Sequence, residues 1–328
     1  MQAVHPEDNV GTNLADELTP LNYYTILSDE EPASVYTNAN LRSFYITQPL
    51  QINMENDSLH MRFYSPVGIK EVTVMAKSPT MDEYVEFVYI DDIPAFADIK
   101  TSIKVLEKGL YRTESGKVLQ FSAEEMNPAS LSLKIACNDP YWTKISQIKA
   151  KWYIKFVLNG GNPVTGTPNK NWWGIRPVHC REAVALFLNI GYMCTLEKFQ
   201  QRVSTFQGTF LDNNRYPVDT STLISRLENL SGFDIGLIYS GNGVSGLGGG
   251  RTWGVYQKSF LYHYENSGGC CSTIFHELGH CLGYNHNSTM TYGQWASGCA
   301  DVFYKNNIKD FPVNSHTILK SRSNPNIY

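Results

Sequence analysis

Apolar and polar positions along this chain change their rhythm twice. Residues up to about Thr37 are polar and acidic with no sustained period, and read as a tail or extended arm over 1–37. Beyond it apolar residues recur at every second position: Leu59, Met61 and Phe63, then Val72, Val74 and Ala76, then the run from Val85 to Ile90. The turn formers Pro66-Val67-Gly68 and Ser78-Pro79 punctuate them. This alternation predicts an all-β sandwich across 38–145.

From Lys151 the pattern differs. Lys151 to Leu158 reads as a strand, and a loop rich in Gly, Pro and Asn follows, with Trp172-Trp173 as either a ligand platform or a core anchor. Pro177 opens a helix through Met193 with Ala183, Leu186, Phe187 and Ile190 on one face, suited to backing a sheet. Phe199 and Val203 mark a second helix, and Ser221 to Leu230 a third that ends near Gly232. Phe233 to Tyr239 is a buried-strand run. The stretch Gly246 to Tyr256 reads either as a strand that lets a partner backbone approach or as a plain flexible loop. No Lys-Ser/Thr follows its glycines, so a phosphate cradle is set aside.

The candidate chemistry is concentrated in His276-Glu277-Leu278-Gly279-His280-Cys281-Leu282-Gly283-Tyr284-Asn285-His286. This is HExxHxxGxxH, whose five fixed positions have chance odds of about 10⁻⁵ in a chain of this composition. On a helix His276 and His280 lie about 40° apart and one turn along, so one ion can take both. Ile274, Phe275, Leu278, Cys281 and Leu282 cover the opposite, core-facing stripe. Glu277 projects roughly 60 to 100° from the histidine pair, which suits a proton carrier over a bound water better than a third ligand. A straight helix would carry His286 about 9 Å past His280, so the chain must turn, and Gly283 supplies the left-handed residue that ends a helix. Three neutral imidazoles leave one position of a Zn2+ ion open for water, the mark of a catalytic site. The competing readings are a buried helix with scattered, satisfied histidines, or a zinc site that has lost its activity.

The motif resembles that of the metzincin clan of zinc endopeptidases. Ser288-Thr289-Met290-Thr291-Tyr292-Gly293 matches the methionine turn of that clan, most closely the S-x-M-x-Y form of astacins and serralysins. The resemblance covers Ser267 to Gly293 and, more loosely, the half of the chain around it. It implies zinc held by His276, His280 and His286, and peptide hydrolysis through a zinc-bound water activated by Glu277. It also implies Met290 beneath the metal, and Tyr292 as a group that stabilises the tetrahedral intermediate; a buried aromatic is the other reading of Tyr292. Only Asn287, Ser288 and Thr289 separate His286 from Met290, so the chain must fold from third ligand straight into the turn. The expected fold is multidomain: the N-terminal β-sandwich over 38–145, beside a peptidase an accessory or pro-domain, then the C-terminal α/β (α+β) catalytic domain that the resemblance implies over 146–328, with a mixed sheet, a backing helix and an active-site helix. An antiparallel edge strand before that helix is implied as the place where substrate backbone adds.

Length and charge add limits. A chain of 328 residues suggests about two domains. A formal net charge of −4 offers no electrostatic reason to expect nucleic acid, and no run of about 18 apolar residues suggests a spanning helix. The expected partner is a protein or peptide substrate, and the expected state a monomer. The start, Met1 to Asp8, lacks the basic and apolar regions of a signal peptide, so the protein is either cytosolic or a mature form. The resemblance favours a secreted or cell-surface protein. Some of the seven cysteines would then be able to pair, whereas Cys281 on the core face reads as a buried thiol. Two other functions stay open: a binding or adhesion protein with a vestigial zinc site, and a latent enzyme whose Cys137 caps the metal.

Overall fold

The computed structural model describes residues 20–103, 108–265 and 270–328, which form two compact units. The first holds 20–26 and Pro49–Thr143; the second holds Leu27–Gln48 and Lys144–Tyr328. Both combine to a mixed α+β chain with several sheets. Among the described residues no helix is long and apolar enough to cross a membrane.

The alternating segments of the first unit are strands. Leu59, Met61 and Phe63 are buried on Ser58–Phe63, as are Val72, Val74 and Ala76 on Ile69–Lys77. Period-two burial of this kind puts one face of each strand into a core and leaves the other wet. Ser58–Phe63 lies between Leu50–Glu55 and Ala97–Ser102 in an antiparallel sheet of four. Ile69–Lys77 is the middle strand of an antiparallel sheet of three, flanked by Val85–Ile93 and Ser132–Cys137. A hairpin of Lys108–Arg112 and Val118–Ser122 completes the unit.

The polar stretch expected as an arm over 1–37 takes another course where it is described, from residue 20 on; residues 1–19 lie outside the described part. Pro20–Thr25 adds as an edge strand to Ala97–Ser102, and Ala33–Tyr36 forms a short helix. Edge strands gain backbone hydrogen bonds without needing an apolar pattern, so periodicity does not reveal them. Nor does the expected boundary at 38 coincide with a unit boundary. Ser43–Tyr45 pairs antiparallel with Tyr153, Ile154 and Lys155, the Phe44 side chain is fully buried, and the Tyr36 hydroxyl donates to the Ile175 carbonyl at 2.8 Å.

The sheet of the second unit runs, from edge to edge, Gly246–Gly249, Thr252–Tyr256, Gly232–Ile238, Tyr153–Leu158 and Ser43–Tyr45. Its three central strands are parallel and both flanking strands antiparallel, a mixed sheet. Trp172–Trp173 adds antiparallel to Leu237 and Ile238, and the Trp173 ring stacks 4.5 Å from that of Tyr328, so this pair is built into the fold. Pro177–Thr195 is buried along most of its length, starting at a proline whose missing N–H costs nothing in a first turn. It backs the sheet through Phe187, whose ring meets Phe233 at 4.8 Å and Trp253 at 4.9 Å. The cleft-bearing helix, Cys270–Cys281, buries Ile274, Phe275 and Leu278. Its Phe275 ring lies 5.8 Å from that of Tyr304, and the Phe275 carbonyl accepts from Trp295 Nε1 at 3.1 Å. Among the described residues no disulfide forms, and burial pushes the Cys281 thiol up to about 12.

Candidate metal centre

His276 and His280 face a cleft from one side of the Cys270–Cys281 helix while its apolar stripe is sealed into the core. The helix stops in a two-bond turn. The Gly283 N–H reaches the His280 carbonyl at 2.9 Å and the Tyr284 N–H the Gly279 carbonyl at 3.1 Å, with Gly283 at φ +91°. An added Cβ at Gly283 would meet nothing, so it is the left-handed backbone, and not space, that calls for glycine there. The reversal returns His286 to its partners, and the ligand atoms of His276, His280 and His286 all lie within 4.8 Å of one another. Residues 266–269, and with them the start of the motif-bearing segment at Ser267, lie outside the described part.

Backbone carbonyls set two of the rings. His280 Nδ1 lies 2.7 Å from the Tyr284 carbonyl and His276 Nδ1 is hydrogen-bonded to the Thr291 carbonyl. A carbonyl only accepts, so both Nδ1 atoms carry the proton and both Nε2 atoms present lone pairs. Those Nε2 atoms are 3.0 Å apart, and His280 Nε2 is 3.0 Å from His286 Nε2 as well. Lone pairs brought this close repel unless a cation lies between them. The separations suit ligands that share one ion at roughly 2.0–2.1 Å. Burial, then the neighbouring His280 imidazole, lowers His276 to about 4, and burial lowers His280 also, so these rings are neutral at pH 7. The three histidines are therefore a group able to bind a metal ion.

Glu277 is 3% exposed, with Oε1 3.9 Å from His276 Nε2. Burial pushes its carboxyl up to about 8. The strand Gly246–Gly249 covers it so closely that a Cβ at Gly246 would stand 2.2 Å from Glu277 Oε1 and one at Gly248 2.5 Å from the Glu277 carbonyl. The glycine-rich stretch is thus a hairpin of Gly246–Gly249 and Thr252–Tyr256, not a flexible loop, and its glycines make room for this carboxylate. The strand forms one wall of a cleft of about 640 Å³, which Ser272, Thr273, Ala296 and Ser297 line farther along.

Met290 is fully buried, its N–H held by Ser288 Oγ at 2.9 Å. Tyr292 is 55% exposed, so it is not the buried aromatic of the alternative reading; its ring stands 4.4 Å from that of His276 and 5.1 Å from that of His286. Cys137 ends a strand of the first unit, its thiol donating to the Lys70 carbonyl at 3.2 Å. Sequence reading singles out neither the carbonyls of Thr291 and Tyr284 as partners of the histidine rings nor Gly246 and Gly248 as the room for Glu277; it offers that glycine stretch only as a strand open to a partner backbone or a loop.

No protein-family model, no curated protein and no solved structure matches this chain significantly.

Proposed function

We propose that this chain is a zinc endopeptidase of the metzincin kind, cutting peptide bonds of protein substrates. The observation that carries the reading is the convergence of three imidazoles, two of them with Nε2 lone pairs aimed together, beside a buried carboxyl at the bottom of an open cleft. His276, His280 and His286 would hold the zinc. When bound, zinc supplies Lewis acidity, which acidifies water and polarises a carbonyl.

The protein's own groups do the rest. The edge strand Gly246–Gly249 offers main-chain donors and acceptors on its open side, where an extended peptide can add as a further strand. Glu277 takes a proton from water and returns it to the leaving amine. A carboxyl pushed toward neutrality by burial suits both halves of that transfer. Tyr292 donates its hydroxyl hydrogen to the carbonyl oxygen as negative charge develops there. The first unit is read as a β-sandwich accessory or pro-domain, its sheets of four and three strands forming the two layers. On this reading the enzyme acts as a monomer outside the cell or at its surface.

The test is to incubate the zinc-loaded chain with an unfolded protein substrate. Cleavage is expected, lost with a chelator and restored by adding zinc. An intact substrate with zinc demonstrably bound would overturn the peptidase reading in favour of a binding protein with a vestigial site. For Tyr292, replacement by Phe is expected to lower kcat about 10²-fold with unchanged zinc content, the usual cost of one oxyanion donor. An unaltered kcat would remove Tyr292 from the mechanism.

A further inference from the structure

The third histidine is held differently from the other two. His276 and His280 are fixed by a helix and by carbonyl partners, whereas Asn285, His286 and Asn287 are all exposed beyond the helix end. Burial does not decide where His286 stands. Ordering an exposed stretch of chain costs backbone entropy, so something must hold it if the ligand is to be ready for a metal.

A loop some 70 residues earlier in the chain lies along this segment. Asn213 grips it with both ends of its amide: Nδ2 donates to the Gly283 carbonyl at 3.0 Å and Oδ1 accepts from the Asn285 N–H at 2.7 Å. Arg215 Nη1 donates to the Asn287 carbonyl at 3.0 Å. Farther on, the Leu211 N–H donates to Thr289 Oγ1 at 2.7 Å, and the Leu211 carbonyl accepts from the Thr289 N–H at 3.1 Å and from Ser288 Oγ at 2.6 Å. These bonds bracket His286 on both sides.

The loop is itself preorganised. The Asp212 N–H donates to the Tyr216 carbonyl at 2.8 Å, and Asp212 Oδ1 accepts from the N–H groups of Asn214 at 2.8 Å and Tyr216 at 2.9 Å. Arg215 adopts a left-handed φ of +68° at the tip. Asn213 is therefore presented from a closed turn, and the segment with His286 is shaped against it. Only a side chain that both donates and accepts can serve a carbonyl and an N–H two residues apart. Aspartate would keep the second bond and set an oxygen against the Gly283 carbonyl.

We propose that Asn213, assisted by Arg215, is a positioning residue for the third metal ligand, and that it sets the metal affinity of the site from outside the ligand set. The proposal rests on the reading that three histidines hold one metal ion. Its test measures zinc affinity of the intact chain by competition with a chromophoric chelator, with His286→Ala as the benchmark for a lost third ligand. Asn213→Ala is expected to weaken zinc binding about 10- to 100-fold, as loss of a group that orients a ligand does. Asn213→Asp should fall between it and wild type, and Arg215→Ala, which loses one exposed bond, should cost about threefold. With Co2+ in place of zinc, the visible bands of Asn213→Ala should move toward those of His286→Ala.

Affinity of Asn213→Ala within about twofold of wild type would overturn the proposal. Should that variant fail to fold by far-ultraviolet circular dichroism, Arg215→Ala decides, and unchanged affinity there overturns it too. A wild-type chain that binds no zinc, or a His286→Ala variant that binds as tightly, would instead strike at the three-histidine reading itself.

Discussion

Replacing Glu277 by Gln is expected to reduce peptide cleavage about 10²- to 10⁴-fold, the range that general acid–base groups contribute. Zinc content should not fall. The carboxyl is not among the three convergent ligands, and its nearer oxygen stands 3.9 Å from His276 Nε2. Gln is the informative substitution because the site is tight. Gly246 and Gly248 close over the side chain, and an amide of the same shape fills that space where alanine would leave a void beneath the strand Gly246–Gly249. The amide has no basic oxygen and cannot take a proton from water at neutral pH. Steady-state kinetics with metal analysis on the same samples checks this, and cleavage within a few-fold of wild type would end the role assigned to Glu277.

Gly279→Ala is the second large effect, and here two physical arguments point in opposite directions. Glycine inside a helix costs roughly 0.8–1.0 kcal/mol relative to alanine, so local propensity predicts a more stable protein. Packing predicts the reverse. An alanine Cβ at this position would stand 2.2 Å from the Met290 carbonyl oxygen and 3.1 Å from its carbon, against backbone that cannot rotate aside. The helix and the turn beneath it would have to separate, at a cost of about 3 kcal/mol, the upper part of the usual overpacking range. Sterics therefore win. The same movement would pull the Thr291 carbonyl away from His276 Nδ1, so zinc affinity should fall together with stability. Urea unfolding of the metal-free protein gives the first quantity and chelator competition the second. A variant as stable as wild type would show that helix and turn do not close against each other at this position.

Different parts of the site were legible to different degrees. The helix with His276, Glu277 and His280 was readable because three residues within one turn share a geometry set by 3.6 residues per turn, whatever surrounds them. The turn at Gly283 was readable for a similar reason, since a helix must end before His286 can come back, and glycine is the residue that ends it at φ +91°. The strands around Leu59, Val72 and Phe233 followed from periodicity and apolar runs. Pro20–Thr25 and Ser43–Tyr45 did not, being short edge strands defined by their neighbours' backbone more than by their own side chains. Tyr292 reads in the sequence as either a buried aromatic or a functional one, and only its exposure beside two imidazoles removes the first.

The sequence by itself determined what lies within one or two helical turns: which ligands share a face, which face enters the core, where the helix stops. Those properties follow from backbone geometry and local polarity, which neighbours in the chain carry with them. The tertiary structure alone decided which carbonyls orient His276 and His280, which glycines make room for Glu277, and that Asn213 braces the segment bearing His286. Each of these joins residues from different elements, and Asn213 meets its partners across some 70 positions. Such pairings depend on how whole surfaces fit, and no local pattern records them.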